Sequence, residues 1–415
     1  MFKNSIIYML AEIINKGVPF LLLPVLTKYL TPYDYGIIAS FSSFIGFISI
    51  FIGLSVHGAI NITYFKHKKE ILKIYIANGL FLVFMGFLIV SLFVYLFQQE
   101  LSHKLLLESE WLYIGLIVAF SQIITLINLT LWISEKKSKI YSFYQIGQTI
   151  MQSILTLVLI IGYNYNWEGQ LISILVASLS FAILSLYLLK LRGYLEFKYS
   201  VKDIKDLLHF GIPLIPHQLS GWLTTSGDRL LLIAMVGAST TGIFTIGYQI
   251  GMIMSVLVTA FHKAWNPYIY EKLSIKMDLV EKIKIVKFTY LYFISIIVVT
   301  FILNELGFYI FKYFISSNFL ESYQYVIYIL IEYAINGMYF MVVSYIFFFK
   351  RTKLLAIITF VLSLLHILLS YIFINLYGAI GVAYSGIISY TLMFFSVWYY
   401  SNKIYPMPWL FWRYQ

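Results

Sequence analysis

Cysteine is absent from this chain and charge is scarce: none of its 415 residues is Cys, and Asp, Glu, Lys and Arg together make up 11%. The first absence excludes disulfides, thiolate metal sites and cysteine nucleophiles, and says little about compartment. The second excludes an ordinary water-soluble globule, in which about a quarter of residues are charged. Also missing are a glycine-rich phosphate loop, a cluster of residues at metal-ligand spacing and a nucleophile–base constellation. The expectation is a protein that is not an enzyme, consumes no ATP and carries no cofactor or metal.

What is present is apolar. Hydrophobic residues make up 61% of the chain and its mean hydropathy is +0.85, so its solvent is lipid. Apolar runs of about 20 residues or more recur at 5–30, 35–60, 71–97, 111–133, 141–163, 170–190, 208–236, 241–262, 286–310, 323–349, 354–376 and 379–401. They predict an all-α integral membrane protein of about twelve transmembrane helices.

The net charge of +11 is a topology signal rather than a nucleic-acid footprint. Counting residues within a few positions of a run's end with the adjoining link, roughly 24 Lys and Arg fall in alternate links such as "YFKHKKEILK", "SEKKSK" and "KRTK", three fall in the other links (Lys28, Lys104, Lys312) and two within helices. That bias puts both termini in the cytoplasm. The first run resembles a signal peptide but is too long, contains Glu12 and Lys16, and has no small-residue cleavage site, so it is expected to be retained.

All links on the lysine-poor side are short. The longer link at 191–207 divides the chain into an N-terminal six-helix bundle (1–190) and a C-terminal one (208–401), with a cytoplasmic tail at 402–415. "VKDIKDLL" and "LVEKIKIVK" read equally well as surface helices and as plain juxtamembrane linkers. The halves echo each other. "KGVPFLLLP" matches "FGIPLIPHQ", each with Gly-x-Pro and a further proline: Gly17, Pro19 and Pro24 against Gly211, Pro213 and Pro216. The next helices open with "YGIIASFSS" and "TGIFTIGYQ". Six helices per half make this a parallel repeat, and breakers at matching places in two halves point to a transporter's gate and binding site.

Polar residues inside the runs are the candidate site. Glu12 and Lys16 share a helix face, with Lys16 about 17 Å from Ser5 along the axis, too deep to snorkel easily. They are either cavity-facing or a structural pair. His217, Gly221, Thr224, Thr225 and Asp228 form a polar stripe on the seventh helix, with Arg229 beside it, either a phosphate ligand or an interhelical salt bridge. Ser121, Thr125 and Asn128 on the fourth helix, and Gln145, Gln148 and Gln152 on the fifth, either line a lumen or join helices. Glu332 and His366 are candidate proton sites, although a lone membrane histidine is more often a packing residue. Lys263, at the end of the eighth helix, is an interfacial anchor or a first contact for an anionic headgroup.

In "NKGVPFLLLPVLTKYLTPYDYGI", "FGIPLIPHQLSGWLTTSGDRLLLIAMVGASTTGIF" and "NLYGAIGVAYSGIISY", and over essentially the whole chain, the sequence resembles the polysaccharide-unit flippases of bacterial O-antigen and capsule synthesis. These are the Wzx-type branch of the multidrug/oligosaccharidyl-lipid/polysaccharide (MOP) exporter superfamily. The resemblance implies two six-helix bundles around a central cavity. It implies alternating-access transfer of undecaprenyl-pyrophosphate-linked oligosaccharide from the cytoplasmic to the outer leaflet of the bacterial inner membrane. Cationic cavity residues would meet the pyrophosphate, a role that Lys16 and Arg229 fit by type and position. Polymerase and chain-length proteins of the pathway are candidate partners, and proton or sodium is a candidate coupling ion, with Asp228, Glu332 and His217 as candidate carriers. Two rivals stay open. A polymerase of the same pathway typically carries a large arginine-bearing outer loop, unlike this chain, and a cation/drug antiporter of the same fold would fit the deep cations Lys16 and Arg229 poorly.

Overall fold

Lipid offers the backbone no hydrogen bonds, so a chain this apolar has to satisfy its peptide groups within its own helices. The computed structural model describes residues 2–275 and 277–414, and among them every regular element is helical. The helices are α1 (Phe2–Tyr29), α2 (Pro32–Gly53), α3 (Val56–Lys66), α4 (Lys69–Leu105), α5 (Ser109–Ser134), α6 (Ser138–Leu157), α7 (Trp167–Leu191), α8 (Val201–Gly211), α9 (Ile215–Trp222), α10 (Asp228–Val236), α11 (Ala238–Gly251), α12 (Ile253–Ser274), α13 (Leu279–Phe314), α14 (Tyr323–Phe348), α15 (Thr352–Tyr377) and α16 (Ile380–Ile404). Among the described residues, eleven helical segments are long and apolar enough to cross a membrane, with α11 and α12 together making one of them. The expected seventh span is absent from that set because it is divided among α8, α9 and α10.

Local chemistry sets the boundaries. Thr31 and Asp34 form a reciprocal capping box, with Pro32 in the first turn of α2. Leu54 and Ser55, both left-handed, kink the chain between α2 and α3. Gly237 and Gly378 take positive φ after α10 and α15, where an L side chain would be strained. "VKDIKDLL" is the start of α8, with Leu207 buried and Asp206 accepting from the Tyr75 hydroxyl at 2.7 Å. "LVEKIKIVK" is the first part of the 36-residue α13 and not a separate surface helix.

The chain divides into two compact units, 1–242 and 243–415. This boundary falls later than the 191–207 link because α8, α9 and α10 pack with the first unit. In the second unit the residues expected to form a tail are held in place. Met407 and Trp409 are buried, Tyr290 donates to the Trp409 carbonyl and Lys282 to that of Pro406, both at 3.1 Å.

The link 191–200 is clamped in the first unit. Arg192 donates to Asn128 Oδ1 at 2.7 Å and to Glu135 Oε1 at 2.6 Å, and its guanidinium stacks between Trp132 and Tyr194. Tyr194 donates to the same Glu135 oxygen, and Lys137 lies 2.9 Å from the other. Burial works against the charged form of Glu135, but donation from Tyr194, Lys137 and Arg192 outweighs it and holds the carboxyl below its ordinary value. A depressed carboxylate contributes stability above its unfolded pKa and loses it as pH falls through the folded one. Glu135→Gln should therefore lower unfolding free energy by about 2 kcal/mol at neutral pH. Melting curves of the two purified proteins should differ above the ordinary glutamate pKa of about 4.3 and converge only below it. Equal melting at neutral pH would show that the clamp is not stabilising.

Candidate functional site

Two prolines and a run of small polar residues interrupt 208–236. α8 ends in a 3-10 turn at Ile212–Leu214, α9 continues to Trp222, a π turn occupies Leu223–Gly227, and α10 begins at Asp228. Each departure from α geometry disturbs the regular backbone bonding, and hydroxyls of the same segment donate back to its carbonyls. Ser220 donates to the Pro216 carbonyl at 2.9 Å, Thr224 to Ser220 and Gly221 at 3.1 Å, and Thr225 to Gly221 at 2.9 Å. Arg229 donates to the Thr225 carbonyl at 2.7 Å. The polar stripe is thus partly the means by which a broken helix survives in lipid.

The interrupted segment lies antiparallel along α2. A Cβ at Gly211 would overlap the Leu54 carbonyl oxygen, and Gln218 donates to Ser55. Trp222 donates to the Ser43 carbonyl at 3.1 Å and packs on Gly46 and Phe47. Further along, a Cβ at Gly36 would overlap the Ala238 carbonyl, and one at Gly242 the Pro32 carbonyl. Only glycine lets these backbones approach so closely. The last two contacts exchange equivalent positions, since Gly36 follows Pro32 by four residues as Gly242 follows Ala238. They bring together the two "YGIIASFSS"-like openings found in the sequence.

The expected site residues fall in different places. Asp228 is buried at 9% exposure, while His217 is exposed and Arg229 half-buried. On α1, Glu12 and Lys16 pair at 3.4 Å with both side chains 43% exposed. Gly17 has open space at its Cβ position. Unlike the 208–236 segment, α1 runs unbroken through Pro19 and Pro24. A proline removes one helical bond, and the stretch around these two holds no serine or threonine until Thr27 to offer carbonyls another partner. α1 packs beside α6, where Thr149 donates to Asn15 at 2.9 Å. Gln145, Gln148 and Gln152 of α6 are half-buried. The other neutral stripe is interior: Ser121, Thr125 and Asn128 are buried in α5, and Asn128 donates to Ser185 of α7 at 3.4 Å. That stripe joins helices. In the second unit Lys263 is exposed in the middle of α12, which runs on to Ser274 instead of ending at this lysine as expected, whereas Glu332 and His366 are buried.

Comparison with known proteins accords with this architecture. The model of the polysaccharide biosynthesis protein family matches residues 1–272. The chain belongs to that family. The chain is 26% identical over 365 residues, 86% of each chain, to "Lsg locus putative protein 1" of Haemophilus influenzae (strain ATCC 51907 / DSM 11121 / KW20 / Rd). In fold the present chain is similar to the lipid II flippase MurJ in an inward closed conformation. The TM-score is 0.76 at 14% identity, over 97% of this chain and 88% of that one. It is also similar to a multidrug resistance MATE transporter of the MOP superfamily, facing inward, with TM-score 0.70 at 15% identity over 94% of each chain. The all-α MOP-like fold is therefore that of this polysaccharide biosynthesis protein.

The two kinds of polar residue respond differently to removal. Replacing both hydroxyls, Thr224→Val with Thr225→Val, removes their bonds to the Ser220 and Gly221 carbonyls and should cost about 1–2 kcal/mol of stability. Lys16→Ala breaks a half-exposed pair and should cost less than about 1 kcal/mol. Thermal melts in one detergent should rank them in that order; the reverse order would show that the hydroxyls are not holding the break.

Proposed function

We propose that this protein carries oligosaccharide repeat units on undecaprenyl pyrophosphate from the cytoplasmic to the outer leaflet of the bacterial inner membrane, for O-antigen or capsular polysaccharide. The step is a transport step by alternating access, with both termini cytoplasmic. The observation that supports it most is the interrupted segment 208–236. A glycan is hydrophilic and its carrier pyrophosphate is anionic, so both need a polar path through hydrocarbon. A helix that leaves α geometry twice, lines its turns with hydroxyls and carries Asp228 and Arg229 offers one within a family of polysaccharide biosynthesis.

On this reading Lys16, Arg229 and, at the membrane surface, Lys263 meet the pyrophosphate, for which a guanidinium is the best-shaped partner. Glu12, His217 and Asp228 shape the polar path. Gly211, Pro213 and Pro216 give the segment its bend, while Gly17, Pro19 and Pro24 allow α1 to flex without breaking. The Gly36–Ala238 and Gly242–Pro32 contacts are where the two halves of the repeat would part and re-form. Work with the polymerase and chain-length proteins of the same pathway belongs to this proposal. The fold similarity to a lipid II flippase fits a lipid-linked cargo better than the small molecules of a drug transporter.

Deleting the gene in its host and probing spheroplasts with a membrane-impermeant reagent reads the sidedness of single lipid-linked units. The expected result is their accumulation on the cytoplasmic face. Single units that reach the outer face without forming polymer would contradict the proposal and favour a polymerase. Complementation with Arg229→Ala should lower outward transfer at least about tenfold, the effect of roughly 1.4 kcal/mol, and undiminished transfer would remove Arg229 from the path.

A further inference from the structure

Two buried ionisable side chains of the second unit lie outside the polar path. Glu332, on α14, is 7% exposed and His366, on α15, 2%. They approach the same turn of α16. A Cβ at Gly386 would overlap the Glu332 carboxyl carbon and its Oε1, so the carboxyl group rests against the α16 backbone. Three residues on, Ser389 Oγ lies 3.2 Å from His366 Nδ1. Ser385, one residue before Gly386, shares a 2.6 Å hydrogen bond with Ser370 of α15. Positions three apart on a helix are neighbours, about 4.5 Å along the axis. A carboxyl group and an imidazole thus converge, from two helices, on one patch of a third.

Tyrosines complete the surroundings. The Tyr333 hydroxyl of α14 lies 2.5 Å from that of Tyr248 on α11, and Tyr333 interacts electrostatically with Tyr248, with Tyr390 of α16 and with Glu332. Phenols ionise only near pH 10, about three units above neutrality. Of the groups named here, His366 can supply a positive charge and Glu332 a negative one. A buried charge with no compensation is strongly disfavoured. A metal ion fits poorly: the carboxyl group is pressed on Gly386, and the described residues hold no group of three or more His, Asp or Glu side chains suited to one.

We propose that Glu332 and His366 form one proton-binding site, carboxylate and imidazole sharing a single proton over the Gly386–Ser389 face of α16, and that uptake and release of this proton drives the transport step. The second part rests on the transport reading; the first does not. With one proton the pair is neutral overall and stable in its dry setting. Losing that proton to water leaves a net negative charge, which is tolerated only when the patch opens to solvent. A proton entering from the more acidic side restores neutrality. Ser389 orients the ring through Nδ1, leaving the other nitrogen for the shared proton.

The full-length protein in proteoliposomes tests both parts. Infrared titration follows the carboxyl band that Glu332→Gln removes. Because a neighbouring cation favours the carboxylate, His366→Gln should raise the midpoint of that band by at least about one unit, a tenfold change in proton affinity. An unchanged midpoint overturns the shared site. If Glu332→Gln does not fold, the difference between wild type and His366→Gln reads the same shift. For coupling, a pH dye inside the vesicles reports proton movement when undecaprenyl-pyrophosphate-linked saccharide is added. Wild type should move protons, and folded Glu332→Gln should pass saccharide down its gradient with proton movement lost. Saccharide transfer without proton movement in wild type overturns the coupling and leaves the flippase reading intact. No saccharide transfer in wild type sinks the flippase reading and the coupling together, while the infrared result still decides the shared site.

Discussion

Inside a bilayer a peptide group that leaves its helical partner must find another within the protein, and the form of the 208–236 segment follows from that requirement. Pro213 and Pro216 make the break. Ser220, Thr224, Thr225 and Arg229 return hydrogen bonds to the carbonyls around it. In this structure contacts from Trp222 and Gln218 seat the broken segment on α2. Polarity at this place therefore has two uses. The hydroxyls maintain the backbone, and on the proposed reading the same hydroxyls, with Asp228 and Arg229, make the segment hospitable to a hydrophilic cargo.

Close backbone approach is the second recurring device. Gly36 and Gly242 let the starts of α2 and α11 pack backbone to backbone, each glycine against the first residue of the other helix. The exchange of equivalent positions is what a duplicated element produces when its copies meet. Gly386 serves differently, because the missing side chain there makes room for the Glu332 carboxyl group. On the proposed reading the first pair governs how the repeat opens, and the second lets a charge be stored where it is costly.

Much of this was legible in the sequence because lipid imposes a simple code. Run length gave the spans except the seventh, which is divided among α8, α9 and α10. The paired Gly-x-Pro motifs marked 208–236, where α geometry does fail. The same motif in α1 did not predict its unbroken course, since the outcome depends on which hydroxyls lie nearby. Periodicity put Ser121, Thr125 and Asn128 on one face as readily as the α6 glutamines. It could not say that the α5 stripe is buried against α7 while the glutamines are half-covered, because burial belongs to the neighbouring helix. Long-range pairings were out of reach for the same reason: Arg192 with Glu135, and the convergence of Glu332 and His366 on α16. The segment around Trp409 was read as a tail, although its run of aromatics was a sign of packing.

On the proposed reading the interrupted segment parts from α2 in each transport cycle, beginning at the Gly36–Ala238 and Gly242–Pro32 contacts. The absence of cysteine makes this directly testable. Ser55→Cys with Gln218→Cys places two thiols at a side-chain contact between them, and a short bifunctional thiol reagent can join the two. Transfer of lipid-linked saccharide in proteoliposomes should stop on cross-linking and return when a cleavable linker is cut, with each single-cysteine protein unaffected by the reagent. Cross-linked protein that transfers saccharide at the uncross-linked rate would show that the segment stays on α2 throughout, and would contradict the account.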